Sequence, residues 1–484
     1  MVISLYCGIP GFFNDVAEEL RLFTDAAVLC AESPGEANVS VTLQPEGGLW
    51  HVRAACALAG QRAEYNQTYA AVSGSALVVK RYMKRYVKIA AFRMMRQVEN
   101  VYTPWGSLTG IRPTRLLREL IGSMGEAQAL AALRDDFDVS AGKIALAHEI
   151  LRMQADIFAT QTPHDLDVYI GIPFCASRCL YCSFLSQVRT GKTDMAAYLD
   201  ALTRDIELGA QITRESGYRV RAVYVGGGTP TVLTAQELER VLACVQAAYG
   251  GFGRELTVEA GRSDTITAEK LQVIKRFGAQ RICINPQSMN DATLARIGRS
   301  HSTQNIREAF DISREIGFDS INMDIICALP GEGLPDIRRT LEAVRELAPE
   351  NLTVHTLALK RSSMLKERLD EYPLPDAAAA DEMVALGGAF AREMGMRPYY
   401  MYRQKYMRGN LENVGYALEG KECIYNVDMM EETTAIMAHG AGAMTKRVFE
   451  RELRAERIPN PKDIATYIAK VDTLAERKRA LFLE

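Results

Sequence analysis

The sequence lacks any apolar stretch long enough to cross a bilayer, and its first residues lack the basic and apolar segments of a signal peptide. These absences argue against a membrane protein and against export. The formal net charge of -3 is too close to neutral for a nucleic-acid binder held by charge alone. We therefore expect a cytoplasmic protein with neither a membrane nor a nucleic acid as partner.

A regular cysteine spacing is also missing from most of the chain. Seven of the ten cysteines are scattered: Cys7, Cys30, Cys56, Cys244, Cys283, Cys327 and Cys423. Scattered thiols argue against a disulfide framework and suit a reducing compartment. The 484 residues, with a hydrophobic fraction of 48% and a charged fraction of 24%, are typical of a globular protein with two or three domains.

The remaining cysteines, Cys175, Cys179 and Cys182, share one short loop in residues 171–182, GIPFCASRCLYC. Thiolates at spacings of four and three can bind three irons of one cubane iron–sulfur cluster. No fourth cysteine follows within the loop, so one iron would remain open for chelation by a small molecule. This spacing therefore indicates a catalytic cluster rather than one that only transfers electrons.

Three other interpretations of this loop are less favourable. Zinc usually takes four ligands in two close pairs, and no second Cys or His pair lies nearby. A loop directly after a strand is a poor place for buried core thiols, and a disulfide is unfavourable in an intracellular protein. The C-x3-C-x2-C spacing resembles the signature of radical S-adenosylmethionine (SAM) enzymes. In those enzymes the open iron chelates SAM, whose reductive cleavage yields a 5′-deoxyadenosyl radical.

From about Val168 onward, six predicted strands alternate with helical patterns. The strands cover residues 168–172, 222–225, 256–259, 281–285, 320–326 and 352–357, and the helices cover 194–213, 235–248, 268–277, 303–316 and 334–347. This alternation predicts parallel strands joined by right-handed crossovers. We expect an α/β fold with a partial, open (β/α)6 barrel, whose chemistry lies at the carboxyl ends of the strands.

The same pattern predicts three domains. Residues 1–165 are expected to form an N-terminal α+β domain of unknown role, and residues 166–370 the barrel. Residues 371–484 are expected to form a smaller C-terminal α+β domain.

A glycine run, residues 226–231 with the sequence GGGTPT, directly follows the second predicted strand. Consecutive glycines let the backbone approach a ligand closely, and their exposed amides can hold an amino-acid head group. The run lacks the lysine of a phosphate-binding loop. By itself it is explained equally well as a tight turn. Its place one strand after the cysteine loop resembles the clamp for the methionine part of SAM.

Further polar residues follow the later strands: Glu259, Gln287, Arg299 and Asp324. A carboxylate such as Glu259 at a barrel mouth is more often functional than structural, although a salt bridge remains an alternative. Asp324 lies within an apolar run, where a carboxylate needs a partner or a ligand. These side chains are expected to form one binding mouth.

Together, residues 169–175, the glycine run, Gln287, residues 298–301 and Asp324 resemble the oxygen-independent coproporphyrinogen III oxidases and their HemW relatives. The match is nearer still to the HemZ-type branch, called coproporphyrinogen dehydrogenase. That branch also has segments similar to residues 104–113 and 402–416, so the resemblance covers nearly the whole chain.

The resemblance implies a [4Fe-4S] cluster with SAM bound to it, and roles for specific residues. The cluster ligands would be Cys175, Cys179 and Cys182. Contacts to the cluster-bound SAM would come from Tyr169, Gly227, Gly228, Thr229, Glu259 and Met444. Oxidases of this family hold a second SAM, and the positions that line its site correspond to Tyr181, Gln287, Arg299, Asp324 and Ala358.

The implied activity is the oxidative decarboxylation of two propionates of coproporphyrinogen III to vinyl groups, giving protoporphyrinogen IX in anaerobic haem biosynthesis. The implied partners are this tetrapyrrole substrate, a low-potential electron donor and an electron acceptor, both unidentified. The substrate carries four carboxylates, so basic residues should bind it. Arg112, Arg115 and the segment 402–405 are the candidates.

One departure leaves alternatives open. The oxidases have a further cysteine two residues after the third cluster ligand, whereas this chain has Phe184, as HemW-like proteins do. The His-Asn motif of HemW is also absent, with Gly409-Asn410 in its place. The alternatives are a HemW-like haem-binding or trafficking protein without decarboxylase activity, and a radical SAM enzyme that acts on haem. His301, His355 and His439 are candidate haem contacts.

Overall fold

A computed structural model describes residues 2–24, 26–110, 112–183, 187–360, 362–404, 407–449 and 454–483. The chain forms two compact units, Met1–His148 and Glu149–Glu484. Among the described residues, no helix combines the length and apolarity needed to cross a bilayer.

The first unit contains a five-stranded sheet in the order β2-β1-β3-β4-β5. Alternating apolar residues of β3 and β4, such as Val41 and Val52, form a core with helix residues such as Phe92. The elements, in chain order, are β1 (Val2–Cys7), α1 (Phe13–Leu20), β2 (Ala27–Cys30), β3 (Val39–Glu46), β4 (Leu49–Leu58), β5 (Gln61–Ala70), α2 (Ala76–Met95), α3 (Pro113–Met124) and α4 (Glu126–Asp135), followed by α5 (Ala141–Ala159), which runs on past His148.

The second unit begins with the predicted alternation of strands and helices. Its elements are β6 (Asp165–Ile172), β7 (Phe174–Cys175), β8 (Gln187–Val188), α6 (Met195–Glu215), β9 (Arg219–Gly227), α7 (Ala235–Tyr249), β10 (Glu255–Glu259), α8 (Ala268–Arg276), β11 (Arg281–Cys283), α9 (Asp291–Arg296), α10 (Thr303–Ile316), β12 (Ser320–Cys327), α11 (Leu334–Leu347) and β13 (Asn351–Thr356). Strands β6, β9, β10, β11, β12 and β13 pair in parallel in this order. The predicted α/β class and open six-stranded barrel are confirmed.

The C-terminal residues extend both edges of this same sheet. Their elements are α12 (Met364–Glu367), α13 (Ala377–Glu393), β14 (Arg397–Tyr402), β15 (Asn413–Ala417), α14 (Ile424–Glu431), β16 (Ala435–His439), β17 (Met444–Phe449), β18 (Arg454–Pro459) and α15 (Ile464–Leu483). Strand β15 pairs antiparallel with β13, and β16 pairs in parallel with β6. The result is an eleven-stranded sheet with the six barrel strands at its centre.

Helix α14, which we call the floor helix, connects one edge of the sheet to the other and packs on the sheet's inner face. Near the amino end of β9, Nε of Arg221 donates to Oδ2 of Asp428 over 2.7 Å, and both side chains are buried. The amide of Ile424, at the start of the helix, donates to Oε2 of Glu255 over 3.0 Å. The floor helix therefore lies against the amino ends of β9 and β10 and leaves the carboxyl ends for the site.

Candidate active site at the carboxyl ends of the barrel strands

The cysteine loop follows β6 and is held by backbone bonds to its neighbours. Cys175 lies in β7, which pairs in parallel with β8. The amide of Leu180 donates to the carbonyl of Ile297 over 2.9 Å, and the amide of Cys182 donates to the carbonyl of Cys179 over 3.1 Å. These bonds fix the loop against the segment that follows α9.

Polar side chains lie beside the sulfurs of Cys175 and Cys179. Nη1 of Arg262 lies 3.7 Å from Sγ of Cys179, and the hydroxyl of Thr229 lies 3.5 Å from Sγ of Cys175. Arg262 is oriented by an ion pair with Asp264 at 2.7 Å. A guanidinium beside a sulfur fits a thiolate that ligates iron, because it partly neutralises the charge of the ligand set.

The donor set also fits a cubane cluster. In the described part of the chain, no group of three or more His, Cys, Asp or Glu side chains is arranged to hold a single metal ion. A cubane cluster does not need that arrangement, because each of its thiolates binds a different iron. The three thiols of one loop, with Arg262 behind them, are the residues that would hold such a cluster.

The glycine run packs directly against the cysteine loop. A Cβ on Gly227, whose φ is +113°, would lie 2.9 Å from the amide nitrogen of Ile172. A Cβ on Gly228 would lie 2.5 Å from the carbonyl oxygen of Phe174 and 3.0 Å from Sγ of Cys175. The amides of Gly228 and Thr229 donate to the carbonyls of Ile172 and Phe174, both over 2.8 Å. These two amides therefore support the loop rather than pointing at a ligand.

Tyr169 on β6 and Glu259 on β10 lie on the inner face of the two strands that flank β9, and Tyr224 of β9 lies between these strands. The ring of Tyr224 packs on Tyr169, with centroids 6.3 Å apart, and on Tyr425 of the floor helix, 4.6 Å apart. The hydroxyl of Tyr224 donates to Oε1 of Glu259 over 2.5 Å. Desolvation raises the pKa of Glu259 to about 7; the bond from Tyr224 opposes this rise, and the charge of Asp324 adds to it.

Gln287 has a left-handed backbone, with a φ of +67°. Such a conformation is uncommon for residues other than glycine and often marks a functional site. The amide of Gln287 donates to the carbonyl of Asp324, and the carbonyl of Gln287 accepts from the amide of Ile326, both over 2.9 Å. Gln287 is thereby fixed beside β12.

Arg299 joins the cysteine loop to the ends of β10 and β11. Its Nη1 donates to the carbonyls of Asn285 and Gly261, over 2.5 and 3.2 Å, and its Nη2 donates to the hydroxyl of Tyr181 over 3.4 Å. The buried Nε of Arg299 has no hydrogen-bond partner among the described residues. The guanidinium of Arg299 also interacts with the thiol of Cys179, so it links the cysteine loop to these strand ends.

Asp324 has the partners that its apolar surroundings require. Nδ2 of Asn322 donates to its Oδ1 over 2.7 Å, and Nε2 of His355 lies 3.5 Å from its Oδ2. The hydroxyl of Tyr402 lies 3.4 Å from Nδ1 of His355. Burial acts to raise the pKa of Asp324, but the hydrogen bonds from His355 and Asn322 prevail and lower it.

We expect His355→Leu to raise the pKa of Asp324 and to lower the free energy of unfolding at neutral pH by about 1–3 kcal/mol, because a desolvated carboxylate loses a donor. The loss should shrink as the pH falls through the depressed pKa of Asp324, below which the carboxyl is neutral with or without His355. Denaturant unfolding of the cofactor-free chain measures both effects. In an Asp324→Asn background the substitution should cost less, and strict additivity of the two changes would contradict the coupling.

The other predicted contacts are placed less centrally. Ala358 is half-buried and forms an isolated antiparallel bridge with Met407. Met444, the first residue of β17, is 44% exposed, and the Cβ of the preceding Ala443 lies 3.7 Å from a Cβ placed on Gly171. Their roles in binding SAM stay predictions.

Several candidate substrate or haem contacts are engaged within the protein. Nη2 of Arg403, which is buried, donates to the carbonyl of Asn410 over 2.9 Å. His439, also buried, lies 2.7 Å from the hydroxyl of Tyr249 and 3.2 Å from Asp205. His301 is buried as well and lies 3.3 Å from Asp264.

Of the remaining candidates, Arg112 and Arg115 belong to the first unit, where Nε of Arg115 lies 3.1 Å from Glu119. Phe184 and Lys405 lie outside the described residues.

Sequence reasoning missed Tyr224 and Arg262. Tyr224 had a usable signal, because it lies two residues before Gly226 and so shares the inner face of β9 with it. Arg262 has no such signal, since it lies in a loop three residues after Glu259 and only the fold brings it to Cys179.

Comparison with known proteins agrees with this geometry. Residues 169–344 match the sequence model of the family described as Radical SAM superfamily. Over 404 residues the chain is 37% identical to the "Oxygen-independent coproporphyrinogen-III oxidase-like protein HemZ" of Bacillus subtilis (strain 168), covering 82% of this chain and 80% of that protein. The chain belongs to the HemZ family of radical SAM proteins.

This HemZ-family protein is also similar to a haem chaperone in sequence and to a coproporphyrinogen III oxidase in structure. It is 28% identical over 300 residues to "Heme chaperone HemW" of Escherichia coli (strain K12), covering 61% of this chain and 75% of that protein. The solved structure of coproporphyrinogen III oxidase (HemN) from Escherichia coli superposes with a TM-score of 0.53 at 23% identity, over 66% of this chain and 73% of that one. The latter similarity shows a shared fold. Radical SAM proteins use a [4Fe-4S] cluster and SAM, so the HemZ-family chain has these cofactors.

Proposed function

We propose that this HemZ-family protein oxidatively decarboxylates two propionates of coproporphyrinogen III to vinyl groups, giving protoporphyrinogen IX. The observation that carries the proposal is the meeting of three elements at one end of the barrel strands. These are the cysteine loop, the half-buried Glu259, and the charged side chains of Arg299 and Asp324. The similarity to the Bacillus subtilis protein named as coproporphyrinogen-III oxidase-like covers 80% of that protein, which supports the substrate class.

In this proposal the protein holds and orients the reactants. Cys175, Cys179 and Cys182 hold the cluster, with Arg262 balancing the charge at Cys179. The cluster and SAM supply, when bound, the reductive cleavage that generates a hydrogen-abstracting radical. Tyr169, Gly227, Gly228, Thr229, Glu259 and Met444 would surround this SAM.

Tyr181, Gln287, Arg299, Asp324 and Ala358 would line a second SAM site. The buried Nε of Arg299 can donate to a carboxylate, and the carboxylate of Asp324 can accept from an ammonium.

The overall reaction sets what else the protein needs. Each propionate side chain loses one hydrogen atom, carbon dioxide and one electron to become a vinyl group. A low-potential donor must therefore supply electrons for SAM cleavage, and an acceptor must remove the electron left by the substrate.

The site must also bind an acidic substrate. Arg403 contacts backbone carbonyls, which favours a role in holding the segment before β15. Lys360 is a better candidate for a propionate, because it follows Ala358 by two residues in a segment that packs on the cysteine loop. Burial lowers the pKa of Lys360, and a carboxylate partner would reverse that effect.

The test is anaerobic incubation of coproporphyrinogen III with reconstituted protein, SAM and a strong reductant. We expect mass spectrometry to show two successive losses, each of one carbon dioxide and two hydrogens, with 5′-deoxyadenosine formed alongside each. Formation of 5′-deoxyadenosine with no change in substrate mass would contradict decarboxylation. That result would leave a radical enzyme with another substrate.

The similarity to HemW favours one second candidate, a haem-binding or trafficking protein that does not decarboxylate. Its test is titration with haem, followed in the visible spectrum. Tight, stoichiometric binding without decarboxylation would support it. Loss of the Soret band during SAM cleavage would instead show chemistry on haem itself.

A further inference from the structure

A tyrosine and a glutamate on adjacent strands form one hydrogen-bonded pair inside the barrel mouth. The hydroxyl of Tyr224, on β9, donates to Oε1 of Glu259, at the end of β10, over 2.5 Å. The other carboxylate oxygen, Oε2, has no hydrogen-bond partner among the described residues. One oxygen is therefore fixed by the protein, and the other remains for a ligand.

We propose that Tyr224 is a positioning residue for Glu259. Its hydroxyl would fix Oε1 so that Oε2 meets a hydrogen-bond donor of the SAM bound in the mouth. The inference rests on the proposed contact between Glu259 and SAM, and extends it to a residue outside the predicted contact set.

The ring of Tyr224 is rigidly held, which makes it suitable for this task. It is 9% exposed and packs on Tyr425, at 4.6 Å, and on Tyr169, at 6.3 Å between centroids, while those two rings lie 6.2 Å from each other. A ring packed on two others has little freedom to redirect its hydroxyl, so little entropy is lost when the bond forms.

The first glycine of the glycine run leaves room for this pair. A Cβ on Gly226 would lie 2.8 Å from Cε1 of Tyr224 and 3.2 Å from Cδ of Glu259. Any larger residue would push the phenol and the carboxyl apart. Gly226 therefore serves the Tyr224–Glu259 pair, whereas Gly227 and Gly228 serve the cysteine loop.

The pair also controls the charge of Glu259. Desolvation raises the pKa of Glu259 to about 7, and the bond from Tyr224 limits that rise. The titratable groups that face Glu259 from the surrounding elements are Tyr169, Tyr224, Cys283, Asp324, Tyr402 and Tyr425. The tyrosines and Cys283 have raised pKa values and are neutral near pH 7, so Asp324 is the charged neighbour.

The sign of the pH effect follows. Without the hydroxyl of Tyr224, the pKa of Glu259 rises, and less carboxylate is present near neutrality. At higher pH the carboxylate forms in either case, so the part of the difference in SAM affinity that comes from protonation of Glu259 disappears. A purely structural defect would not recover in this way.

The experiment is equilibrium dialysis of SAM against reconstituted Tyr224→Phe protein across pH. We expect SAM affinity to be about tenfold weaker at pH 7, from the loss of one hydrogen bond to a charged group. The part of that loss that comes from protonation of Glu259 should recover about two pH units higher, and the part that comes from the lost positioning of Oε1 should remain. Tyr218→Phe, which removes a hydroxyl from a tyrosine packed on Phe482 away from the mouth, should behave as wild type. A Tyr224→Phe affinity equal to wild type at pH 7 would overturn the inference.

Glu259→Gln separates this inference from the contact on which it rests. The substitution should weaken SAM binding and remove its pH dependence, and adding Tyr224→Phe should then change little. A further tenfold loss in the double variant would show that Tyr224 does not act through Glu259, and would overturn the inference. If Glu259→Gln alone binds SAM as wild type does, the proposed contact itself fails.

A titration without cofactors gives an independent readout. In protein labelled with carboxyl-carbon-13 glutamate, the infrared band lost in Glu259→Gln belongs to Glu259. That band should titrate near pH 7 in wild type and at higher pH in Tyr224→Phe; identical titrations would overturn the inference. None of these measurements uses a tetrapyrrole, so failure of the decarboxylase proposal leaves them intact.

Discussion

Cys179→Ala is expected to abolish the iron–sulfur cluster and, with it, all reductive cleavage of SAM. Cys179 is the middle ligand of the loop and is 8% exposed, with Nη1 of Arg262 at 3.7 Å from its sulfur. Removing it leaves two thiolates for a cluster that already has one iron without a protein ligand. It also leaves the charge of Arg262 without the thiolate that it faces.

Iron content, the visible spectrum of the reconstituted protein and the yield of 5′-deoxyadenosine measure this outcome. The matched control is Cys244→Ala, because Cys244 is a half-buried thiol of α7 whose sulfur contacts only the carbonyl of Thr203 among the described hydrogen bonds. Far-ultraviolet circular dichroism should show both variants folded. Full iron loading and cleavage by Cys179→Ala would contradict the ligand assignment.

Gly228→Ala is expected to have the second largest effect, because its methyl group would meet backbone rather than a movable side chain. That methyl would lie 2.5 Å from the carbonyl oxygen of Phe174 and 3.0 Å from Sγ of Cys175. Relief requires the start of the cysteine loop to shift. Such overpacking typically lowers the free energy of unfolding by about 1–3 kcal/mol, and here it would also displace a cluster ligand.

Denaturant unfolding of the cofactor-free chain and iron content after reconstitution test both consequences. Gly191→Ala is the matched control, since a methyl group there has nothing within 4 Å. We expect the control to keep wild-type iron content and Gly228→Ala to lose most of it. Equal loading in the two variants would mean that the glycine run does not support the loop.

The parts of the fold that could be predicted from the sequence are those determined by short, continuous sequence patterns. Short apolar runs that alternate with helical patterns located the six parallel strands within a few residues. The spacing of Cys175, Cys179 and Cys182 located the loop. The polar residues after the strands were expected to lie together, and the structure brings Glu259, Asp324 and Arg299 to one end of the sheet.

The remainder depends on pairs far apart in the chain. The extension of both sheet edges needs β15 beside β13 and β16 beside β6, and neither partner is marked in the short strands themselves. The floor helix, with eight residues and no long apolar face, has little local signal. Tyr224 could have been found from its alternation with Gly226, but its bond to Glu259 depends on the pairing of β9 with β10.

The floor helix has a consequence for how the chain is synthesised and matured. The bond that fixes it to the barrel joins Arg221 to Asp428, 207 residues later, and β6 pairs with β16 only after that helix has emerged. While the ribosome is still translating the C-terminal region, β6 therefore has an unpaired edge beside the cysteine loop, and contacts of such long range form slowly. We expect iron–sulfur assembly to follow release of the complete chain, because only then is the strand that carries the loop paired on both sides.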